Sequence, residues 1–152
     1  MDGPLNSWRR HMKAMLAAVA AVAVSIPLQA LACDGEGMAS VEVKKVDVQS
    51  LAEMQKKLSV QVYDANSEKT RSEQGIIPGA TMLTSASQYD LEKELTPVKD
   101  AALVFYCANE KCRASHVAAE RAAKAGYTNV SVLPAGIKGW KEAGQRTVKP
   151  TS

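Results

Sequence analysis

Residues 101–106, Ala-Ala-Leu-Val-Phe-Tyr, form an unbroken apolar run of strand length with no polar alternation. Such a run suits a strand covered on both faces, which requires a packed layer on either side of it. The chain is thereby constrained to an α/β architecture in which a sheet lies between helices, with this run at its centre. The flanking segments agree. Residues 60–63, 76–82 with a turn at Pro78-Gly79, and 130–133 read as strands, and a further short strand starts at Val46. Residues 49–57, 87–95, 113–125 and 137–144 read as helices. In the third helix Ala114, Ala118, Ala122 and Ala125 make a small-residue face that can lie close on a sheet, with His116, Glu120 and Lys124 opposite. Trp140 reads as a core anchor against the last strand. Strand and helix in alternation predict a mostly parallel sheet joined by right-handed crossovers. There is no internal repeat.

A length of 152 residues allows one domain of this kind, with at most an appendage. Aromatic residues are only 5%, so the core has to be aliphatic and alanine-rich. The net charge of +3 is concentrated at the start, where residues 1–32 hold three of the 19 basic and one of the 16 acidic residues. The remainder is nearly balanced, which excludes the concentrated basic field of a nucleic-acid-binding domain.

Arg9, Arg10 and Lys13 precede an uncharged apolar run, residues 14–26, which ends at Pro27 and Ala30-Leu31-Ala32. Basic start, short apolar stretch and small-x-small site make residues 1–32 a secretory signal peptide. The run is shorter than the ~20 residues a bilayer-spanning helix needs. Met12-Lys13 would serve equally well as a start. Cleavage after Ala32 leaves Cys33 first, which opens a lipoprotein alternative and, with it, membrane contact through lipidated Cys33. Either route puts the domain outside the cytoplasm, most simply in a periplasm, where disulfides persist. Residues 33–44, with Gly35, Gly37 and Ser40, read as a flexible lead-in, and residues 45–150 as the domain.

Ligands of open parallel sheets collect at the carboxyl ends of the strands, before the next helix. Cys107 stands there. The loop Cys107-Ala108-Asn109-Glu110-Lys111-Cys112-Arg113 contains no proline, so each residue can turn an N–H inward and form an anion cradle with the following helix start. The same field favours thiolate, making Cys107 a candidate nucleophile, while Arg113 offers a two-pronged oxyanion contact. A small buried hydrophobe is the alternative reading of Cys107.

These residues resemble the single-domain rhodaneses, which are sulfurtransferases. The likeness runs through Asp64, Gly75-Ile76-Ile77-Pro78-Gly79-Ala80, Tyr106-Cys107, Ser115 with Ala118-Ala119, Gly126-Tyr127, and Gly136, Trp140 and Gly144, over residues 46–148. It implies a three-layer rhodanese-like fold with helices on both faces of a mostly parallel sheet. It also implies that Cys107 takes a sulfane sulfur from thiosulfate or another donor, holds it as a persulfide, and passes it to a thiophilic acceptor, with residues 108–113 as the cradle. No metal or organic cofactor is implied. The partners would be a small sulfur-containing anion and a thiol acceptor, met by a monomer. Three departures bear on thiosulfate turnover. The Asp-x-Arg of the family is Asp64-Ala65-Asn66, leaving a cation missing there. A His is replaced by Ile76. The loop is longer than usual and carries a second cysteine, Cys112.

Three rival readings use the same loop. Cys107 and Cys112 together suit a two-cysteine redox or sulfur-relay protein. Cys107-x5-Arg113 matches the phosphate loop of cysteine phosphatases and arsenate-type enzymes, though Tyr106 stands where those have His and no general acid is placed. A non-catalytic binding module is the third.

Overall fold

The structure, a computed structural model, describes residues 43–151. The signal segment 1–32, Cys33 and the lead-in up to residue 42 lie outside the described residues. Five strands, β1 (Lys44–Lys45), β2 (Gln61–Asp64), β3 (Thr81–Met82), β4 (Leu103–Tyr106) and β5 (Val130–Leu133), form one sheet in the order β1-β5-β4-β2-β3. Every pair of these strands is parallel. Between them run α1 (Val48–Lys56), α2 (Glu68–Gln74), α3 (Leu91–Glu94) and α4 (Ala114–Lys124), with α5 (Gly136–Glu142) last.

The apolar run is the central strand, as its composition requires. β4 pairs with β2 on one side and β5 on the other, setting Tyr106 between Asp64 and Leu133, and all four of its residues are buried. Alternation sends Leu103 and Phe105 to one face, where they pack with Tyr63, Val132 and the α4 residues Ala118, Ala119 and Ala122. Tyr63 and Phe105 stack there with ring centroids 5.1 Å apart. Val104 and Tyr106 go to the other face, against Leu51 and Ala52 of α1 and Ile137 and Trp140 of α5. The two clusters make three layers, and each large side chain fully buried in them contributes on the order of 1.5–3 kcal/mol. Trp140 is the anchor expected of it, and its indole N–H donates to the Arg146 carbonyl at 2.9 Å.

Several elements differ from the sequence expectation: β1 lies at Lys44–Lys45 rather than starting at Val46, and β3 keeps only Thr81–Met82 of residues 76–82. Helix α2 is unforeseen, because Glu-Lys-Thr-Arg-Ser-Glu-Gln buries no residue and has no apolar period to read; the Ser67 cap starts it, accepting the Thr70 amide. Residues 87–95 form only the short α3. Ser85 Oγ accepts the amides of Ser87 and Gln88, and Asp90 accepts those of Glu92 and Lys93, so local side-chain bonds replace the first helical turn. Tyr89, fully buried, donates its hydroxyl to the Ala118 carbonyl at 2.8 Å, tying this segment to α4.

Candidate active site

Past Tyr106 the chain leaves the carboxyl rim of the sheet as the loop 107–113. Leu103 and Phe105 face α4, and the strand alternation carries Cys107 to the same side. Cys107 is 1% exposed. Its sulfur meets the Ser115 hydroxyl at 3.3 Å and the Ser115 amide in the first turn of α4, and its thiol donates to the Cys112 carbonyl at 3.1 Å. A thiol has one proton to give. That proton lies between the carbonyl and the sulfur of Cys112, so the Ser115 hydroxyl is left to donate to the Cys107 sulfur.

Cys112 is partly exposed and its sulfur has other neighbours. The N–H groups of Ala108 and Ala114 turn toward it, as does the Cys107 thiol. The Ala108 amide is aimed by α5. Ile137 N–H donates to the Cys107 carbonyl at 2.8 Å and Lys138 N–H to the Ala108 carbonyl at 3.1 Å. In a trans peptide the N–H points opposite the carbonyl, so holding the Cys107 carbonyl on α5 sends the Ala108 N–H into the loop. Gly136 permits this approach. Its φ is +60°, and a Cβ there would lie 2.5 Å from the Cys107 carbonyl oxygen and 2.7 Å from the Ala108 carbonyl carbon.

These surroundings separate the two thiols. Burying a thiolate costs several kcal/mol, while a hydrogen bond to a charged group returns about 1.5–3 kcal/mol. At Cys107 burial dominates, reinforced by the neighbouring Cys112, and the Ser115 hydroxyl and amide offset only part of it, so the thiol is pushed up. At Cys112 burial also raises the value, but the Cys107 thiol and the amides of Ala108 and Ala114 outweigh it and hold the group below the ordinary thiol range. The loop amide of Ala108 is thus turned to Cys112.

The cradle is also smaller than the sequence suggests. Asn109 takes two of its amides, accepting the Lys111 N–H on Oδ1 and the Cys112 N–H on its carbonyl, each at 3.0 Å. Proline-free sequence permits inward amides; the Asn109 turn uses them up. Glu110, Lys111 and Arg113 are exposed, and Arg113 precedes α4 without a side-chain cap bond. Asn109, Glu110 and Lys111 instead line the outer side of the loop, where with Lys138 and Glu142 they border an open groove of about 390 Å³. His116 is half-buried on α4. Among the described residues no three of His, Cys, Asp and Glu gather as a metal site.

Beside the loop lies a buried network that sequence reading missed. Asp64, 0% exposed, accepts the Tyr106 hydroxyl at 2.6 Å and the Asn66 amide at 2.6 Å. Arg71 of α2 brings Nε to 3.4 Å from Asp64 Oδ1, a charge pair without hydrogen-bond alignment, while its Nη2 donates to the carbonyls of Asp64 and Leu83 at 2.9 and 2.8 Å. Tyr106, whose phenol burial and the Asp64 carboxylate keep protonated, also accepts the Ile77 amide at 3.1 Å. The cation expected to be missing at position 66 is thus supplied from position 71. No local spacing signals it, because the pairing depends on where α2 lands.

The Rhodanese-like domain family profile matches residues 47–143. No curated protein matches the chain. Among solved structures, the BH2092 protein of Bacillus halodurans is similar at 20% identity and TM-score 0.61, covering 70% of this chain and 77% of that one. The thiosulfate sulfurtransferase of Pseudomonas aeruginosa is similar at 20% identity and TM-score 0.61, over 72% of this chain and 21% of that one. A human single-domain sulfurtransferase is similar at 21% identity and TM-score 0.54, over 66% of this chain and 97% of that one. At these identities the likeness is one of fold.

Proposed function

The chain belongs to the rhodanese-like domain family, and from that premise we propose that it is a sulfurtransferase that holds a sulfane sulfur as a persulfide on Cys107. One observation carries the reading: a second thiol and the first turn of α4 enclose the Cys107 sulfur at the carboxyl end of the central strand. A sulfane sulfur kept there is shielded from solvent thiols, because Cys107 is almost wholly buried. Ser115 supplies a hydroxyl and an amide to the charged form. Ala108, Asn109, Glu110, Lys111, Cys112 and Arg113 form the wall past which a small sulfur-containing anion and a thiol acceptor approach, the protein acting as a monomer.

The geometry supports the phosphatase reading less. A phosphate loop needs its amides and arginine on one oxyanion, and here two amides belong to Asn109 while Arg113 is exposed. Export through residues 1–32 completes the proposal and places the thiols where they can be oxidised; the N-terminal residue of the secreted protein checks it, Cys33 being expected.

The test is incubation of the full chain with thiosulfate, followed by intact mass and peptide mapping. The expected result is a gain of one sulfur that comes to rest on Cys107, released as thiocyanate by cyanide. A protein that takes up no sulfur from thiosulfate or inorganic polysulfide, yet hydrolyses an aryl phosphate, overturns the reading.

A further inference from the structure

The two sulfurs of the loop are prepared for opposite tasks. Around Cys107 two carbonyls, of Cys112 at 3.1 Å and of Asn109 at 3.9 Å, face the sulfur beside the one amide of Ser115, and the carbonyls are served only while the sulfur keeps its proton. Around Cys112 the backbone groups are donors, the amides of Ala108 and Ala114, which suit a sulfur that has lost its proton. Exposure divides them the same way. Cys107 is closed off, whereas Cys112 lies at the end of the loop with part of its surface open to solvent.

We propose that Cys112 is the thiol that meets the sulfur donor and the acceptor, and that it relays the sulfane sulfur to and from Cys107 behind it. This rests on the sulfurtransferase reading and adds an order of events to it. The Cys112 thiolate attacks the sulfane sulfur of thiosulfate; the sulfur–sulfur bond of the donor breaks, sulfite leaves with the electron pair, and Cys112 carries a persulfide anion. The Cys107 proton passes to the terminal sulfur of that persulfide. The Cys107 thiolate so formed attacks the same terminal sulfur, the bond to Cys112 breaks, and the Cys112 thiolate is restored beside a protonated Cys107 persulfide. Nothing is oxidised or reduced overall in this exchange, and no outside reductant is needed. Delivery to an acceptor runs the exchange backwards.

Rapid quenching of the wild-type protein with thiosulfate, followed by peptide mapping, tests the order. Sulfur is expected on Cys112 at the earliest times and on Cys107 later. In Cys112→Ser the arrival of sulfur on Cys107 is expected to slow at least about tenfold, because the remaining thiol is mostly protonated near neutral pH. In Cys107→Ser the sulfur is expected to stay on Cys112 and to be lost readily to glutathione. Sulfur appearing on Cys107 first, or Cys112→Ser loading Cys107 at the wild-type rate, overturns the relay while leaving the sulfurtransferase reading intact. A Cys107–Cys112 disulfide formed with release of hydrosulfide likewise overturns it, since the attack would then have fallen on the inner sulfur. Wild-type protein that gains sulfur on neither cysteine overturns the underlying function. Should a variant fail to fold, the order of labelling in the wild-type protein decides.

Discussion

Ser115 touches the Cys107 sulfur through both its hydroxyl and its amide, and only the hydroxyl can be removed by mutation. Ser115→Ala is expected to leave the fold in place and to slow the arrival of sulfur on Cys107 about tenfold, the equivalent of one hydrogen bond to a charged sulfur; single-turnover mapping reads this. Gly136→Ala acts on the same loop from the other side. Its new methyl would collide with backbone rather than with a yielding side chain, so a loss of more than about 3 kcal/mol in stability and of sulfur transfer together is expected. Gly126→Ala, where φ is +91° but a Cβ meets nothing within 4 Å, is the control and should cost only about 1–2 kcal/mol. The thiols also predict a pH profile. Cys112, held low, should be alkylated with a midpoint below the ~8.5 of a free thiol, and Cys107 only above it. Linkage gives opposite signs. The contribution of Cys112 to stability grows as pH rises through its folded value, whereas that of Cys107 is complete at low pH and is lost as pH rises through its own. The place of Cys107 at the end of the central strand was legible, since it directly follows an apolar run. Which thiol is the more acidic was not, because that follows from carbonyl directions and from the amides Asn109 withdraws, neither of which leaves a pattern in sequence.

Elements meet at the Asp64 network, which joins β2, α2 and β4. Removing one member of a buried pair strands the other, at a cost of about 3–5 kcal/mol. Arg71→Met is therefore expected to lose stability in that range in urea unfolding, whereas substitution at Glu68 or Lys69, exposed on the same helix, should change it by less than about 0.5 kcal/mol. Tyr106→Phe leaves the Asp64 carboxylate and the Ile77 amide short of a partner and should cost about 1–3 kcal/mol. At this scale the sequence reads well where periodicity is strong, as in β4 and the alanine face of α4. It fails where the signal is polar. Helix α2 has no buried residue, and the start of the supposed helix at 87 is undone by the Ser85 and Asp90 side chains. The tertiary role of Arg71 gives a helix without an apolar stripe its place.

The whole molecule follows from one six-residue stretch. Residues 101–106 demanded cover on both faces, and the two core clusters provide it with α4 on one side and α1 and α5 on the other. The strand order was not legible, because crossovers leave the sequence of neighbours open. The order has a consequence for how the protein is made. The earliest of the described strands, β1, lies against the latest, β5, and β4 reaches its place between β2 and β5. Nascent polypeptide emerging from a ribosome therefore has no stopping point before β5 at which a finished layer can lock, and it stays threadable until that strand is out.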